Sequence, residues 1–329
     1  MFEVAIQKSS GVRQATRSPF LCERPDTNLD DVLSLVDDLV PKKMAFVRAV
    51  GRDVIETARD ALELGLAFPV LIGEESVIKR DADELGWNLE GVRIENAQGE
   101  QAAIESATSL VAKKEVSGLV KGQIHSDTFM SGIVRKQAGI RSKKRMVHIF
   151  VMLPPGGGKP LLVSDAAVNV EPNIETRVES ALQMADLARK MGTVRPKVAI
   201  LSATESMLLA VPSSIEANEI AALAASRDEN ADFAGPLSFD LALSPESVAV
   251  KGIAKDSPLA RVAGQADALV VPDIVSGNVL FKSLVYCAGG LAAGLVIGGL
   301  VPILLTSRAD PPAARLASLA LAAIAGRKG

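Results

Sequence analysis

The chain reads as an α/β protein with largely parallel sheets covered by helices on both faces. Short, continuously apolar runs rich in Val, Ile and Leu recur along it, and segments with apolar residues at helical spacing separate them. Several of the runs also stop abruptly on polar residues. Parallel sheets collect ligands beyond the carboxyl ends of their strands, so those ends are the first places to look for chemistry.

Taken in order, the predicted strands are FPVLIG (68–73), SGLVKG (117–122), MVHIFVML (146–153), PLLVSDA (160–166), KVAILSA (197–203), DALVVPDI (267–274) and PILLTS (302–307). Helical spacing runs from Asp53 to Gly65 and again through ESALQMADLARKMG (179–192), which ends on glycine. LPPGGGKP (153–160) interrupts the alternation about midway, and SRDENADFAGP (226–236) reads as a surface loop. Residues 1–30 are polar and irregular, an arm. The natural split places the first half in one domain and residues 150–296 in another.

With 329 residues, 48% of them hydrophobic, there is material for two domains with substantial cores. A net charge of −3 and 3% aromatics argue against a nucleic-acid binder. Two cysteines, Cys22 and Cys287, make no disulfide framework, and with only His125 and His148 beside them no Cys/His metal site is expected. A reducing cytoplasm fits this usage, and MFEVAIQKSSGVRQATRS lacks the apolar core of a signal peptide. Ser283 to Ser307 is uncharged and long enough to span a bilayer. Gly298-Gly299 breaks that run and Pro302 follows, so it reads as a buried helix, a turn and a strand, with no membrane segment.

Among the motifs, GGGK (156–159) is followed by Pro160 and a strand, which makes it a hairpin-like turn and not a phosphate loop. No GxGxxG follows a strand. Six basic residues crowd 135–145: Arg135, Lys136, Arg141, Lys143, Lys144 and Arg145. They read as a solvated face, with a local polyanion site as the functional alternative. Lys121-Gly122 closes a strand, where glycine lets a ligand approach the backbone and a helix starting near Ser126 would aim amides at an anion. Asp165 ends another strand and Asp273 a third, with Gly277, Asn278 and Lys282 following as a helix begins. Each alone is what a helix cap looks like. Together with Ser307-Arg308 they predict polar strand ends gathered along one cleft.

The long stretches SDAAVNVEPNIETRVESALQMADLARKMGTVRPKVAILSATES (164–206), GPLSFDLALS (235–244), GQADALVVPDIVSGNVLFKSLVYCAGG (264–290) and PILLTSRAD (302–310) resemble the phosphate acetyl/butyryltransferase family. VKGQIHSDTFMSGIV (120–134) is similar to its anion-binding turn. The resemblance implies two α/β/α domains of the isocitrate/isopropylmalate-dehydrogenase-like kind, with the active site in the cleft between them. It also implies a C-terminal helix returning to the first domain (31–149 plus 297–329) and a homodimer formed through the second (150–296). The implied reaction converts acyl-CoA and inorganic phosphate to acyl phosphate and CoA, reversibly, with CoA as substrate and no tightly bound cofactor. The family's Ser-Arg pair maps onto Ser307 and Arg308, with Lys121, Gly122, Ser126, Arg135, Asp165 and Asn278 as phosphate- or CoA-binding candidates.

A guanidinium there can hold phosphate bidentately and offset the charge that develops on the acyl oxygen, while a hydroxyl bonds the sulfur or that oxygen. Positioning the two substrates supplies much of the acceleration without a covalent intermediate. The acetyl-specific branch carries an acidic base a few residues after the pair, but here the segment is Ala309-Asp310-Pro311-Pro312-Ala313-Ala314. The SRAD form is nearer the butyryltransferase-like branch, although Leu241 stands where that branch commonly has asparagine. Deprotonating a thiol of pKa about 8.5 at pH 7 is worth roughly 2 kcal/mol. Losing an oxyanion donor costs about 3–4 kcal/mol, so Arg308 outweighs the missing base. Asp310 is either a base or the N-cap of a helix whose first position is Pro311. A β-decarboxylating dehydrogenase of related fold would need aspartates at metal-ligand spacing, which are not evident. Leu241 and Ala314 would also suit a CoA- or phosphate-binding homologue without activity.

Overall fold

A computed structural model of the chain describes Cys22, Leu33, Val36 and residues 40–305 and 310–327. The first half alternates strand and helix: β1 (Lys42–Val47), α1 (Arg52–Glu63), β2 (Ala67–Gly73), α2 (Glu75–Glu84), β3 (Arg93–Asn96), α3 (Gly99–Ala112), β4 (Leu119–Lys121) and α4 (Ser126–Val134). The chain then crosses the molecule through β5 (Val147–Leu153) and β6 (Leu161–Ser164). Alternation resumes with α5 (Ile174–Lys190), β7 (Lys197–Leu201), α6 (Pro212–Arg227), β8 (Asp232–Leu237), α7 (Phe239–Leu243), α8 (Pro245–Lys251), β9 (Ala268–Val270) and α9 (Ile274–Tyr286). It returns through β10 (Leu291–Ile297), β11 (Ile303–Leu304) and α10 (Pro312–Ala325).

All seven predicted strands are present within a few residues, and the GGGK turn joins β5 and β6 as an antiparallel hairpin, with Met152 opposite Leu161. Two expectations change. The supposed loop 226–236 ends in β8, which pairs parallel with β7. The uncharged run 283–307 holds an additional strand, β10, antiparallel to β5 along its length. A short buried apolar segment carries no periodicity that separates strand from helix, so LAAGLVI was hidden among its alanines and glycines.

The sheets of the two halves join edge to edge, in the order β3-β2-β1-β4-β11-β10-β5-β6-β9-β7-β8. Strands β3 to β11 of that order are parallel to one another, as are β6, β9, β7 and β8. Three antiparallel pairings separate the blocks, β11–β10, β10–β5 and β5–β6, so the blocks run in opposite senses. Their carboxyl ends therefore open at opposite edges of the sheet.

Side chains alternate across a strand, so the two faces of the sheet can be read separately. On one face Phe46, Leu71, Val120, Leu304, Leu295, Ile149, Leu162, Ile200 and Val270 belong to one continuous core under α1, α2, α10, α5 and α6. On the other face the core is in two pieces. Ala45, Val47, Leu119, Ile303 and Val296 lie under α3 and α4. Met152, Val163, Ala199 and Leu269 lie under α7, α8 and α9.

Helix ends follow local chemistry. Asn173 accepts the amide of Thr176 to open α5, and Arg189 and Lys190 sit in its last turn where the helix dipole favours cations. Asp273 accepts both the amide and the hydroxyl of Ser276 to open α9. In α10 the structure corrects the expected register by one residue, because Pro311 is the N-cap and Pro312 the first helical residue. A residue before proline is pushed to extended backbone, so of two successive prolines only the second can begin the helix. Asp310 stands outside the cap and accepts an Nη1 bond from Arg315 on its main-chain oxygen at 3.2 Å.

Candidate functional site

The gap between the two helical covers lies over β4, β11, β10 and β5. Lys121 shares the face of Leu119 and is 7% exposed. Across the floor from it stand Gly294 of β10, then His148 and Phe150 of β5. Gly294 has no side chain to fill the space, and Phe150 and His148 Nε2 lean over it, the latter 3.1 Å from where a Cβ would sit. Phe150 stacks in turn on Phe281 of α9, centroids 4.0 Å apart, which fixes that helix as one wall. The other wall is α3 and α4.

Strand β11 pairs with β10 at a single register, Val296 opposite Ile303. The amide of Gly294 donates to Ser318 Oγ of α10 at 3.0 Å. Ser307 and Arg308 lie outside the described residues, between Leu305 at the end of β11 and Asp310 before α10.

The remaining predicted residues fall into two groups on either side of the gap. Lys121, Gly122 and Ser126 form the first, at the carboxyl ends of β1 and β4. Gly122 has a structural reason to be glycine: a Cβ there would press on Arg48 O and lie 2.7 Å from Val47 O, where the two strand ends converge. Ser126 opens α4, and the preceding residue, His125, gives both its amide and its ring Nδ1 to Glu100 Oε1, at 3.1 and 2.8 Å. Arg48 pairs with Glu74 at 3.4 Å and Glu100 at 3.6 Å and donates to Gln123 O at 3.0 Å. Burial works to raise the Glu74 and Glu100 carboxyls, but hydrogen bonds and the nearby Arg48 charge prevail and hold both below the usual range. This network was missed from the sequence, since nothing local marks Arg48, Glu74 and Glu100 as neighbours.

Asp165 and Asn278 form the second group, with about 19 Å of sheet between Asp165 and Lys121 at four strand spacings. The Asp165 carboxylate accepts from the amides of His148, Ala167 and Val168 and from Asn169 Nδ2, at 2.7–2.9 Å. Those four chain donors occupy it, so it holds the loop after β6 in place. Asn278 Nδ2 donates to Ala166 O at 3.4 Å, and a side chain at Gly277 would strike Asp165 O. Asp273 caps its helix, as described. Arg135 ends α4, one helix length of about 13 Å from Ser126, and is exposed with the rest of the basic run. A cavity of about 430 Å³ does touch Lys143 and Lys144, but it opens beside α5 and the turn 298–302, away from the gap.

His148 received no role from the sequence. It is fully buried, neither ring nitrogen has a hydrogen-bond partner, and burial depresses its pKa to about 4 against the opposing pull of Asp165. Leu241 is also fully buried, in the core beneath α7, so its identity reflects packing. Ala314 is 3% exposed on the inner face of α10, packed in the core.

A continuous sheet with two helical covers on one face and the buried Lys121 between them define a two-lobed α/β protein. Residues 100–323 match the phosphate acetyl/butaryl transferase family, and the chain belongs to it. It is 37% identical over 296 residues to a phosphate acetyltransferase of Rickettsia typhi, covering 89% of this chain and 83% of the other. It is 30% identical over 303 residues to a phosphate butyryltransferase of Clostridium acetobutylicum, covering 92% and 99%. The crystal structure of a branched-chain phosphotransacylase from Enterococcus faecalis superposes with a TM-score of 0.74 at 29% identity, over 87% of this chain and 99% of that one. Among the described residues, no helix is long and apolar enough to cross a membrane.

Proposed function

We propose that the chain transfers a short acyl group, acetyl or butyryl, reversibly between CoA and inorganic phosphate while both substrates are bound. Family membership supports the reaction class. The observation that supports the reading on this molecule is that β11 ends at Leu304, paired with Val120 next to the buried Lys121 and three residues before Ser307 in the chain. A phosphate oxygen attacks the thioester carbonyl carbon, charge develops on the carbonyl oxygen, and the C–S bond breaks to release CoA thiolate. Arg308 holds phosphate and offsets that charge, with Ser307 bonding the sulfur or the oxygen. Lys121 adds a positive charge at the floor, where burial strengthens it. Gly122 and Ser126 present backbone to phosphate, Arg135 serves the phosphates of CoA, and Asp165 and Asn278 position α9. Asp310, two residues after Arg308, serves as proton acceptor.

In this reading CoA is a substrate, the enzyme works in the cytoplasm, and residues 31–149 with 297–329 form one domain and 150–296 the other. A second copy of the chain covers the exposed Val275 and Val279 of α9, an apolar pair on an otherwise poorly buried helix. The test mixes purified protein with phosphate and acetyl-, propionyl- or butyryl-CoA and follows released thiol. Phosphate-dependent CoA release is expected, and its absence with every acyl-CoA from C2 to C5 removes the proposal.

A further inference from the structure

Cys22 and Cys287 stand near opposite ends of the sequence, which is why they read as unrelated. The fold brings them together. The amide of Cys22 donates to Tyr286 O at 3.1 Å, and its Sγ lies 3.4 Å from the same oxygen. Tyr286 is the residue before Cys287. With that bond fixed, covalent geometry keeps the two Cα atoms within about 7 Å of each other. A disulfide closes without backbone movement at roughly 4.4–6.8 Å. Both residues are thiols here, Cys287 exposed and Cys22 half-buried, so a small reagent reaches them.

We propose that Cys22 and Cys287 form a thiol–disulfide exchange site that closes an intrachain disulfide when the low-molecular-weight thiol pool is oxidised. The exposed Cys287 thiolate attacks one sulfur of a small disulfide, R–S–S–R, breaking its S–S bond and releasing R–S⁻. Cys22 thiolate then attacks the Cys287 sulfur of the mixed disulfide and releases the second R–S⁻. The two protons lost by the cysteines end on the two R–SH, and the small disulfide is the oxidant. Under ordinary cytoplasmic conditions the pair stays reduced, so the bond is a reversible response and not a fixed staple.

The position gives the bond a consequence. Leu33 and Val36, on the same segment as Cys22, pack on the continuous core, and that segment leads into β1. A disulfide there would tie Cys287, just after α9, to a residue that precedes β1 in the chain. This inference does not depend on the proposed acyl transfer.

The full-length protein is incubated with glutathione disulfide, quenched at low pH, and mapped by mass spectrometry without reduction. A Cys22–Cys287 peptide pair, lighter by two hydrogens, is expected. It should vanish in Cys22→Ser and in Cys287→Ser and revert with dithiothreitol. The cross-linked protein should melt roughly 3–8 °C above the reduced form, because the bond closes a very long loop. Glutathione adducts without the cross-link would overturn the proposal. So would a disulfide-linked dimer through Cys287 that persists in Cys22→Ser.

Discussion

The two faces of the sheet are built to different ends. Under α1, α2, α10, α5 and α6 one apolar core runs from β2 to β7 without a break. On the opposite face the core divides, and Lys121, Gly294, His148 and Phe150 occupy the division. A protein interior gains stability from continuity, since every break forfeits burial and packing. The unbroken face holds both lobes together and so lets the other face carry the buried polar side chains of Lys121 and His148.

Substitutions test this contrast by striking the two faces separately. The largest effect should come from Ile149→Ala, at the centre of the unbroken core. It should lower unfolding free energy by about 2–5 kcal/mol in chemical denaturation, with turnover per folded molecule near normal. A loss below about 1 kcal/mol would mean the continuous core is not the principal brace.

On the divided face, His148 makes stability pH-dependent. Its folded pKa, about 4, lies below the ordinary 6.5, so the unfolded chain takes up the proton first as pH falls. Its contribution is fully present above pH 6.5 and disappears as pH drops toward 4, a loss of roughly 3 kcal/mol. His148→Phe should flatten the denaturation midpoint between pH 7 and 4.5, and an unchanged slope would place the acid-labile group elsewhere. Arg308→Ala should cost at least about 100-fold in turnover, about 2.7 kcal/mol of barrier, while the melting temperature stays within a degree or two. The smallest effect belongs to Ser318→Ala, which strands one amide of β10 and should cost about 1–2 kcal/mol of stability. Near-equal losses of stability for Arg308→Ala and Ile149→Ala would erase the distinction between the faces.

How much of this was legible beforehand depended on range. Runs such as KVAILSA and DALVVPDI announce buried strands within themselves, and Asp273 marks a helix start within four residues. Strand order is set by contacts across the whole chain, so the opposed direction of the two parallel blocks was invisible. That is why Lys121 and Asp165, both read as strand ends on a shared cleft, stand in separate groups. For the same reason the Arg48–Glu74–Glu100–His125 network and the meeting of Cys22 with Tyr286 escaped notice. Lys121 and Gly122 were legible because a polar residue and a glycine terminate one short apolar run. The reason given for Gly122 was nonetheless different from the one found, which is the convergence of two strand ends.

The placement of β10, β11 and α10 has a consequence for biosynthesis. These late elements fill the middle of the molecule, between β4 and β5, instead of extending its rim. While the polypeptide emerges from the ribosome, β4 and β5 each present an unpaired inner edge, and much of the central core has no lid. An exposed edge of this kind invites pairing with other nascent chains. Assembly of both lobes is thus completed together, only once β10, β11 and α10 have been made.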